Sequence, residues 1–303
     1  MLNDIHLMDC KIGMRQLSDN SAQIIIADPP YNIGKDFGNN SDKMSMPEYL
    51  LDCDIWIAEC LRILKNNGTM FIYGFSEILA HIFVRINCNK RWLVWHYTNK
   101  NSANAGFWQR SHESIICMWK DDRVFNEDMV REPYTEGFVN GANGRIRPAT
   151  KGRFSNSDKV TTYKVHENGA LPRDVIKIPA LSGALGSSER WFVCKTCNIV
   201  SNNIDLHKEH DIEKHPTQKP LAICDKLILS CMQKDGFVLV PFAGSGSECV
   251  AAKKNGLNFI GYELTKEYID IAEARLKNPE KEFSKEEKDF QELPEETKET
   301  IFD

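Results

Sequence analysis

The chain has 303 residues and a formal net charge of −5, and this length allows one large domain with an inserted unit. No apolar run approaches 18 residues and no signal peptide is recognisable, so we expect a soluble, cytoplasmic protein that does not bind membranes. Ten cysteines are too few for a disulfide scaffold of this length, and we expect them to be reduced.

The charge is unevenly distributed along the chain. Residues 279–303 hold ten acidic residues and four lysines, whereas residues 140–190 hold nine Lys or Arg and four Asp or Glu. A basic segment is typical of a region that contacts nucleic-acid phosphates. The negative overall charge therefore comes from an acidic tail and does not exclude DNA as a partner.

Residues 1–123 alternate strand and helix patterns, as in an α/β protein. The patterns predict strands at 4–8, 23–27, 69–74, 92–97 and 114–119, and helices near 11–17 and 47–64. The polar loop 32–45 contains glycines and is a candidate lid over a bound base, with Phe37 as a possible stacking ring. The alternative is a simple surface loop.

A stiff polar tetrapeptide, Asp28-Pro29-Pro30-Tyr31, follows the apolar run 23–27. Open α/β sheets bind ligands at the carboxyl edge of their strands, where this tetrapeptide would lie. The prolines fix φ and remove two N–H donors, so a carboxylate and a proline carbonyl can accept the hydrogens of an exocyclic amino group. The tyrosine ring can stack on the base. A turn after a strand is the alternative reading.

Residues 124–213 have no long periodicity, are rich in Gly, Ser and Asn, and carry the basic excess, which is typical of an inserted recognition region. Within them, segment 191–213 has Cys and His residues at zinc-ligand spacings. The pattern C-x2-C-x12-H-x4-H ends on His215, and a tighter C-x2-C-x9-H-x2-H ends on His210. Because His215 belongs to the next motif, the favoured zinc ligands are Cys194, Cys197, His207 and His210. The alternative is a reduced surface CxxC near solvated histidines.

The next motif is His215-Pro216-Thr217-Gln218-Lys219-Pro220, which precedes a predicted helix at 221–232. Proline near a helix start is expected on structural grounds alone. Thr217 and Lys219 could instead bind a carboxylate, such as that of a methionine-derived cofactor.

Residues 236–263 predict a nucleoside-binding unit: a strand at 237–240, a glycine turn at 242–246, a helix at 248–255 and a strand at 258–262. The turn lets the backbone approach a ligand, and Glu263 can accept ribose hydroxyls. Cys249 stands where a dinucleotide fingerprint has its third glycine. S-adenosylmethionine, which has a ribose and no phosphate, is therefore favoured over NAD.

Together, the DPPY, HPTQKP and FAGSG segments resemble the DNA amino-methyltransferases. Their order resembles that of the β (permuted) class of adenine-N6 methyltransferases of restriction–modification systems. Leu7-Met8-Asp9-Cys10 is similar to the family's N-terminal motif, whose acid contacts the cofactor adenine. Arg110-Ser111-His112-Glu113 is similar to its RHE segment before a strand, and residues 130–134 also match. The resemblance covers roughly residues 4–277.

The resemblance implies a circularly permuted Rossmann-like, S-adenosylmethionine-dependent α/β methyltransferase fold with an inserted target-recognition region. It places the catalytic part at 1–123, the recognition insert at 124–213, the cofactor-binding part at 214–277 and a charged tail at 278–303. It implies methylation of adenine N6 in double-stranded DNA and, in addition, a homodimer. The catalytic residues are expected to be Asp28, Pro29, Pro30 and Tyr31. The cofactor-binding residues are expected to be Asp9, Cys10, Asp28, Thr217, Lys219, Phe242, Ala243, Gly244, Ser245, Gly246, Glu263 and Leu264.

Two residues depart from the family pattern, because Val240 replaces an Asp and Met8 replaces a Gly. A DNA-binding protein that has lost catalysis is therefore one alternative, cytosine-N4 methylation is a second, and methylation of RNA or of a protein glutamine is a third. Asp28 favours adenine, since the cytosine-N4 group more often has Ser there. No proline precedes a cysteine, so the Pro-Cys nucleophile of cytosine-C5 methylation is missing and direct transfer is expected.

Overall fold

The computed structural model describes residues 2–34, 43–99, 106–147, 160–181, 189–234 and 236–278. The strands in these ranges are β1 (Asp4–Leu7), β2 (Ala22–Ala27), β3 (Leu64–Gly74), β4 (Asn89–His96), β5 (His112–Trp119), β6 (Ile146–Arg147), β7 (Thr161–Thr162), β8 (Val175–Lys177), β9 (Phe192–Cys194), β10 (Ile199–Ser201), β11 (Ile212–Lys214), β12 (Phe237–Val240) and β13 (Asn258–Glu263). The helices are α1 (Cys10–Gly13), α2 (Met46–Ile63), α3 (Ser76–Arg85), α4 (Glu136–Ala142), α5 (Leu221–Cys231), α6 (Ser247–Lys254) and α7 (Lys266–Lys277), with short 3-10 helices at Met14–Gln16, Glu127–Met129 and Ile204–His207.

One eight-stranded sheet organises the chain, with the order β1-β13-β12-β2-β3-β5-β4-β8. In the sheet, the five neighbouring strands β1, β13, β12, β2 and β3 are parallel, whereas β5 runs antiparallel to both β3 and β4. The late strands β12 and β13 lie between the early strands β1 and β2. The chain therefore closes its sheet with its C-terminal part, which confirms the permuted Rossmann-like fold.

Helices cover both faces of this sheet, and β2 contributes to both cores. All six residues of β2 are buried, as expected for a central parallel strand. Ile24 and Ile26 pack in the core formed with α5 and α6, while Ile25 packs in the opposite core with Trp56 of α2. Full burial of such a side chain contributes roughly 1.5–3 kcal/mol, so this strand is a firm base for the tetrapeptide that follows it.

The residues at the N-terminus of α2 explain why this helix begins close to the predicted position. Ser45 and Glu48 form a capping box, and Pro47 lies in the first turn, where its missing N–H costs nothing. The helix then passes directly into β3 at Leu64. The predicted helix at 11–17 is instead the short α1 followed by one 3-10 turn.

Several elements were not anticipated. Helices α3 and α7 lack a sequence prediction, and β8, from the predicted recognition region, pairs with β4 at the sheet edge. His112 and Glu113 are the first two residues of β5 and do not precede it. Most of the loop 32–45, including Phe37, and nearly all of the acidic tail lie outside the described residues. Within the described part, no helix combines the length and apolarity needed to cross a membrane.

Candidate active site

A cleft of about 310 Å³ opens where the carboxyl ends of β1, β13, β12 and β2 meet. This is the edge at which open α/β sheets bind ligands. Most of the predicted site residues line it: Asp9, Cys10, Asp28, Pro29, Pro30, Tyr31, Thr217, Lys219, Phe242, Ala243, Gly244, Ser245, Glu263 and Leu264. Residues as far apart in sequence as Asp9 and Leu264 therefore share one cavity.

Gly246 is the one predicted residue that is not among the lining residues. Its φ is +78°, and a Cβ built on it would lie 2.6 Å from the Cβ of Ala272. Gly246 therefore serves the turn into α6 and the close approach of α7, while Gly244 and Ser245 face the cleft.

The centre of the cleft is an ion cluster around Lys219. Its Nζ lies 2.8 Å from both carboxylate oxygens of Asp28 and 3.2 Å from Oε2 of Glu113. The Tyr31 hydroxyl donates to Asp28 Oδ1 at 2.7 Å and lies 2.9 Å from Glu113 Oε2. The Lys219 side chain is only 4% exposed, so the two carboxylates compete for a cation that has little water around it.

Glu113 and Tyr97 belong to this cluster but were not predicted as site residues. The Tyr97 hydroxyl donates to Glu113 Oε1 at 2.5 Å. Because β5 is antiparallel to β3, its first residues lie at the same sheet edge as the last residues of β3, where Gly74 pairs with Ser114. The available signal was the RHE segment, whose glutamate had been matched to the family without a role.

The charges of the cluster set its protonation. Burial raises the pKa of Asp28, and Lys219 offsets only part of that effect. Burial also acts to raise the pKa of Glu113, but the Lys219 ammonium and the Tyr97 hydroxyl outweigh it and hold that pKa below its ordinary value. Burial alone would lower the pKa of Lys219, yet the two carboxylates raise it. Lys219 is therefore charged and Glu113 is ionised at neutral pH.

A further carboxyl group, that of Glu248, lines the cleft. It is 3% exposed, and burial together with the charge of Asp28 raises its pKa to about 7. The Cys224 thiol is 3.5 Å from its Oε1. A substantial fraction of Glu248 is thus protonated at neutral pH, unlike Glu113.

The glycine turn and Glu263 form the second wall. Glu263 Oε2 accepts the Gly244 N–H at 2.8 Å, and Oε1 accepts the N–H groups of Leu264 and Thr265 at 2.8 and 2.9 Å. A carboxylate offers about four lone-pair sites, so Glu263 keeps capacity for a ligand hydroxyl. Its position at the end of β13, beside the turn, was predicted from spacing alone.

Asp9 and Cys10 complete the rim beside β1. Asp9 caps α1 by accepting the Lys11 N–H at 2.7 Å, and Lys11 Nζ also contacts Asp52 at 2.6 Å. Burial, followed by the charge of Asp9, raises the pKa of Cys10 to about 12. The Cys10 thiol in the cleft is therefore protonated at neutral pH.

The tetrapeptide is anchored from both ends. The Pro30 carbonyl accepts the Tyr49 hydroxyl at 2.8 Å, so it is engaged within the protein. The Tyr31 ring meets the edge of Phe75 with centroids 5.0 Å apart, and Tyr31 is 8% exposed. Since its hydroxyl belongs to the ion cluster, the position of this ring is fixed before any ligand arrives.

The two departures from the family pattern occupy different environments. Val240 is fully buried in the core and is not among the cleft-lining residues, whereas Met8 lines the cleft. Val240 therefore fills core space, next to the cleft-lining residues Pro241 and Phe242. The four predicted zinc ligands lie together elsewhere in the fold, with one ligand atom from each within 4.8 Å of the others.

Comparison with known proteins adds named relatives. The chain is 27% identical over 271 residues to the type II methyltransferase M.HpaI of Haemophilus parainfluenzae, covering 87% of this chain and 71% of that protein. It is 27% identical over 275 residues to the DNA adenine methyltransferase YhdJ of Escherichia coli K12, covering 88% and 80%.

Solved structures show the same fold. M1.HpyAVI in complex with SAM has a TM-score of 0.50 and 23% identity, with 90% of this chain and 99% of that chain covered. The cytosine-N4-specific PvuII DNA methyltransferase has a TM-score of 0.61 and 11% identity, with 93% and 91% covered. At these identities the likeness concerns architecture only. The N6_N4_Mtase family of DNA methylases matches residues 22–274, and the chain therefore belongs to this family of DNA methylases.

Proposed function

We propose that this protein transfers a methyl group from S-adenosylmethionine to N6 of an adenine that is flipped out of double-stranded DNA. The observation that carries the proposal is the largely buried carboxylate of Asp28 at the carboxyl end of β2, inside the cleft and held by Lys219. An exocyclic amino group needs such an acceptor. Membership of the DNA methylase family and the adenine-methylating relative YhdJ support the same activity.

The residues present fit S-adenosylmethionine. Glu263 retains acceptor capacity for ribose hydroxyls, Asp9 lies on the neighbouring strand end, and Gly244 exposes backbone at the turn. The cleft volume of about 310 Å³ lies within the range of small-ligand sites. When bound, the cofactor supplies an electrophilic methyl group on a sulfonium.

Asp28 has the central role in the mechanism. Its carboxylate and the Pro29 carbonyl would accept the two amino hydrogens and direct the nitrogen lone pair away from the ring. Lys219 orients Asp28 by contacting both of its oxygens, and it neutralises much of its charge. Carboxylate binding by Lys219, the role that the motif first suggested, would compete with these contacts, because its Nζ already contacts the carboxylates of Asp28 and Glu113.

Glu113 acts as a positioning residue. It fixes Lys219 and the Tyr31 hydroxyl from the β5 side, and Tyr97 in turn fixes Glu113. Burial raises the pKa of both tyrosine hydroxyls, so they stay protonated donors. The Tyr31 ring, held by these bonds, offers an aromatic surface on which a flipped base can stack, at an extrusion cost of a few kcal/mol.

The DNA-contacting surface remains a prediction. The basic excess of residues 140–190 is the proposed electrostatic contact with phosphates, within a recognition insert at 124–213. A homodimer is proposed from the family resemblance. The boundaries of the parts of the chain are also predictions, and β8 shows that the insert contributes to the central sheet.

The test is to incubate the protein with methyl-labelled S-adenosylmethionine and unmethylated genomic DNA, and then to identify the labelled nucleoside. We expect N6-methyladenine from the wild type and no label from Asp28→Asn. Asp225→Asn is the matched control, because this acid is also largely buried but pairs with Lys254 on α6, and neither residue of that pair lines the cleft. Label in N4-methylcytosine would refute the adenine assignment. No label together with no cofactor binding would refute catalysis and favour the DNA-binding alternative.

A further inference from the structure

We propose that four side chains of segment 191–214 bind one structural Zn²⁺ ion, and that this ion fixes the chain that enters the active-site cleft. We call this segment the knuckle; it comprises β9, β10, β11 and the 3-10 helix Ile204–His207. The proposed ligands are Cys194, Cys197, His207 and His210.

Four distances between the ligand atoms approach those of a tetrahedral zinc site. With Zn–N of about 2.0–2.1 Å and Zn–S of about 2.3 Å, a tetrahedral site requires N···N of about 3.3 Å and S···N of about 3.6 Å. The two Nδ1 atoms of His207 and His210 are 3.2 Å apart. His210 Nδ1 is 3.5 Å from Cys194 Sγ and 3.2 Å from Cys197 Sγ, and His207 Nδ1 is 3.8 Å from Cys197 Sγ.

The backbone is arranged to deliver thiolate ligands. Cys194 ends β9, and the Cys197 N–H donates to its Sγ at 3.3 Å, which stabilises a negatively charged sulfur. Asn198 follows in the left-handed region with φ of +55°, a conformation that Asn tolerates and that lets the chain turn back into β10. If His207 and His210 were merely solvated, their Nδ1 atoms would not be expected to lie beside the same pair of sulfurs.

The knuckle has too little core to stand alone. Its three strands have three residues each, and its interior consists mainly of Phe192 packed edge-on against the His207 ring at 5.3 Å. Units of this size gain their stability from a metal or a cross-link. A Cys194–Cys197 disulfide is the competing cross-link, but it would leave both histidines without a role.

The two ends of the knuckle lie at the active site. Phe192 pairs with Lys214, so β9 and β11 bring the residues before and after the knuckle together. Just before the knuckle, the Glu189 carboxylate accepts the Leu221 N–H at 3.0 Å. The backbone carbonyl of Glu189 accepts a hydrogen bond from Gln218 Nε2 at 2.6 Å. Segment 215–220 is thus held between the knuckle and α5.

That segment carries Lys219, the centre of the ion cluster. His215, its first residue, packs against Tyr268 of α7 with ring centroids 4.6 Å apart, and both line the cleft. Trp191 packs with Ile271 on the same helix. Loss of zinc is therefore expected to loosen segment 215–220 while the eight-stranded sheet stays folded.

Metal content is the first measurement. The protein is purified without a histidine tag after growth with added zinc, and bound metal is determined by mass spectrometry. We expect about one zinc per wild-type chain and per Cys88→Ser chain, since Cys88 is half-buried and outside the knuckle. We expect the metal to be lost in Cys197→Ser, which changes an exposed side chain, and in His210→Ala. A metal-free wild type, or one whose thiol count shows a Cys194–Cys197 disulfide, would overturn the site.

Hydrogen exchange tests the second half of the proposal without requiring activity. Amides of residues 212–221 should exchange at least tenfold faster in Cys197→Ser than in the wild type or Cys88→Ser, while β2 and β3 remain protected. Unchanged exchange in the metal-free variant would overturn the coupling. Weaker S-adenosylmethionine binding is also expected in Cys197→Ser, and only this readout rests on the proposed function. Zinc binding and the loosening of segment 215–220 can therefore be established even if the protein binds no cofactor.

Discussion

Replacing Lys219 with methionine should be the most informative single change in the cleft. Methionine has a similar length and no charge, so it removes the ammonium while keeping most of the packing volume. Asp28 and Glu113 would then face each other across a site that is nearly closed to water. Removing one partner of a buried ion pair typically costs about 3–5 kcal/mol, because the remaining charge loses its compensation.

The loss should depend on pH in a definite direction. Without the ammonium, the two buried carboxylates repel, and one of them acquires a raised pKa. A raised carboxyl pKa stabilises the folded state at low pH, and this stabilisation is lost as the pH rises through the interval between the unfolded and folded pKa values. The deficit of Lys219→Met relative to the wild type should therefore be smallest near pH 5 and largest near pH 8. Its slope is limited to about 1.4 kcal/mol per pH unit for one proton.

Urea unfolding at pH 5 and pH 8 measures this deficit. Lys254→Met is the matched control, because its ion pair with Asp225 is partly exposed and should contribute at most about 1 kcal/mol. Adding Glu113→Gln to Lys219→Met removes the repulsion and should recover stability but not methylation. A Lys219→Met protein as stable as the control at pH 8, or a double variant less stable than the single one, would refute the charge-cluster reasoning.

Three further predictions concern other parts of the site. Gly246→Ala should lower the free energy of unfolding by about 2–4 kcal/mol, because its Cβ would meet Ala272. Gly256→Ala, at a φ of +71° and with open space around it, should lower it by only about 1 kcal/mol, and equal losses in urea melts would contradict this. Because burial raises the pKa of Glu248 to about 7, the unfolding free energy of the wild type should fall by about 3 kcal/mol as the pH rises from about 4.5 to 7. Glu248→Gln should abolish this fall, and an unchanged pH slope of stability would count against the prediction. Glu263→Gln should weaken S-adenosylmethionine binding about tenfold in calorimetry, because an amide nitrogen then faces backbone N–H donors. Equal affinity of the variant and the wild type would contradict the proposed contact of Glu263 with the ribose.

The sequence predicted the residues that follow parallel strands. Asp28 comes directly after the apolar run 23–27 and Glu263 directly after the predicted strand 258–262, and parallel strands bring such positions to one edge. The permuted sheet and the role of Asp9 were expected from the family resemblance. The positions of Asp28 and Glu263 depend on local sequence and a general rule, so they needed no knowledge of tertiary packing.

Glu113 could not be assigned a role in this way. It begins a strand, and its presence at the cleft depends on β5 running antiparallel to β3, which is a tertiary property. The partner of Lys219 was missed for the same reason, because a sequence does not show that two acids will face one lysine. Helix α3 lies between two predicted strands and has no counterpart among the elements predicted from the sequence.

The charge balance of the cleft links its structure to the proposed chemistry. When Asp28 and Glu113 are ionised and Lys219 is protonated, the cluster carries one net negative charge. A net negative, water-poor pocket stabilises a bound sulfonium cation and an amino donor together, but it would reject an anionic ligand such as a dinucleotide phosphate. Glu248, with its pKa near 7, adds negative charge as the pH rises. Cation affinity should therefore rise with pH across neutrality in the wild type but not in Glu248→Gln, a coupling that packing at the cleft alone would not produce.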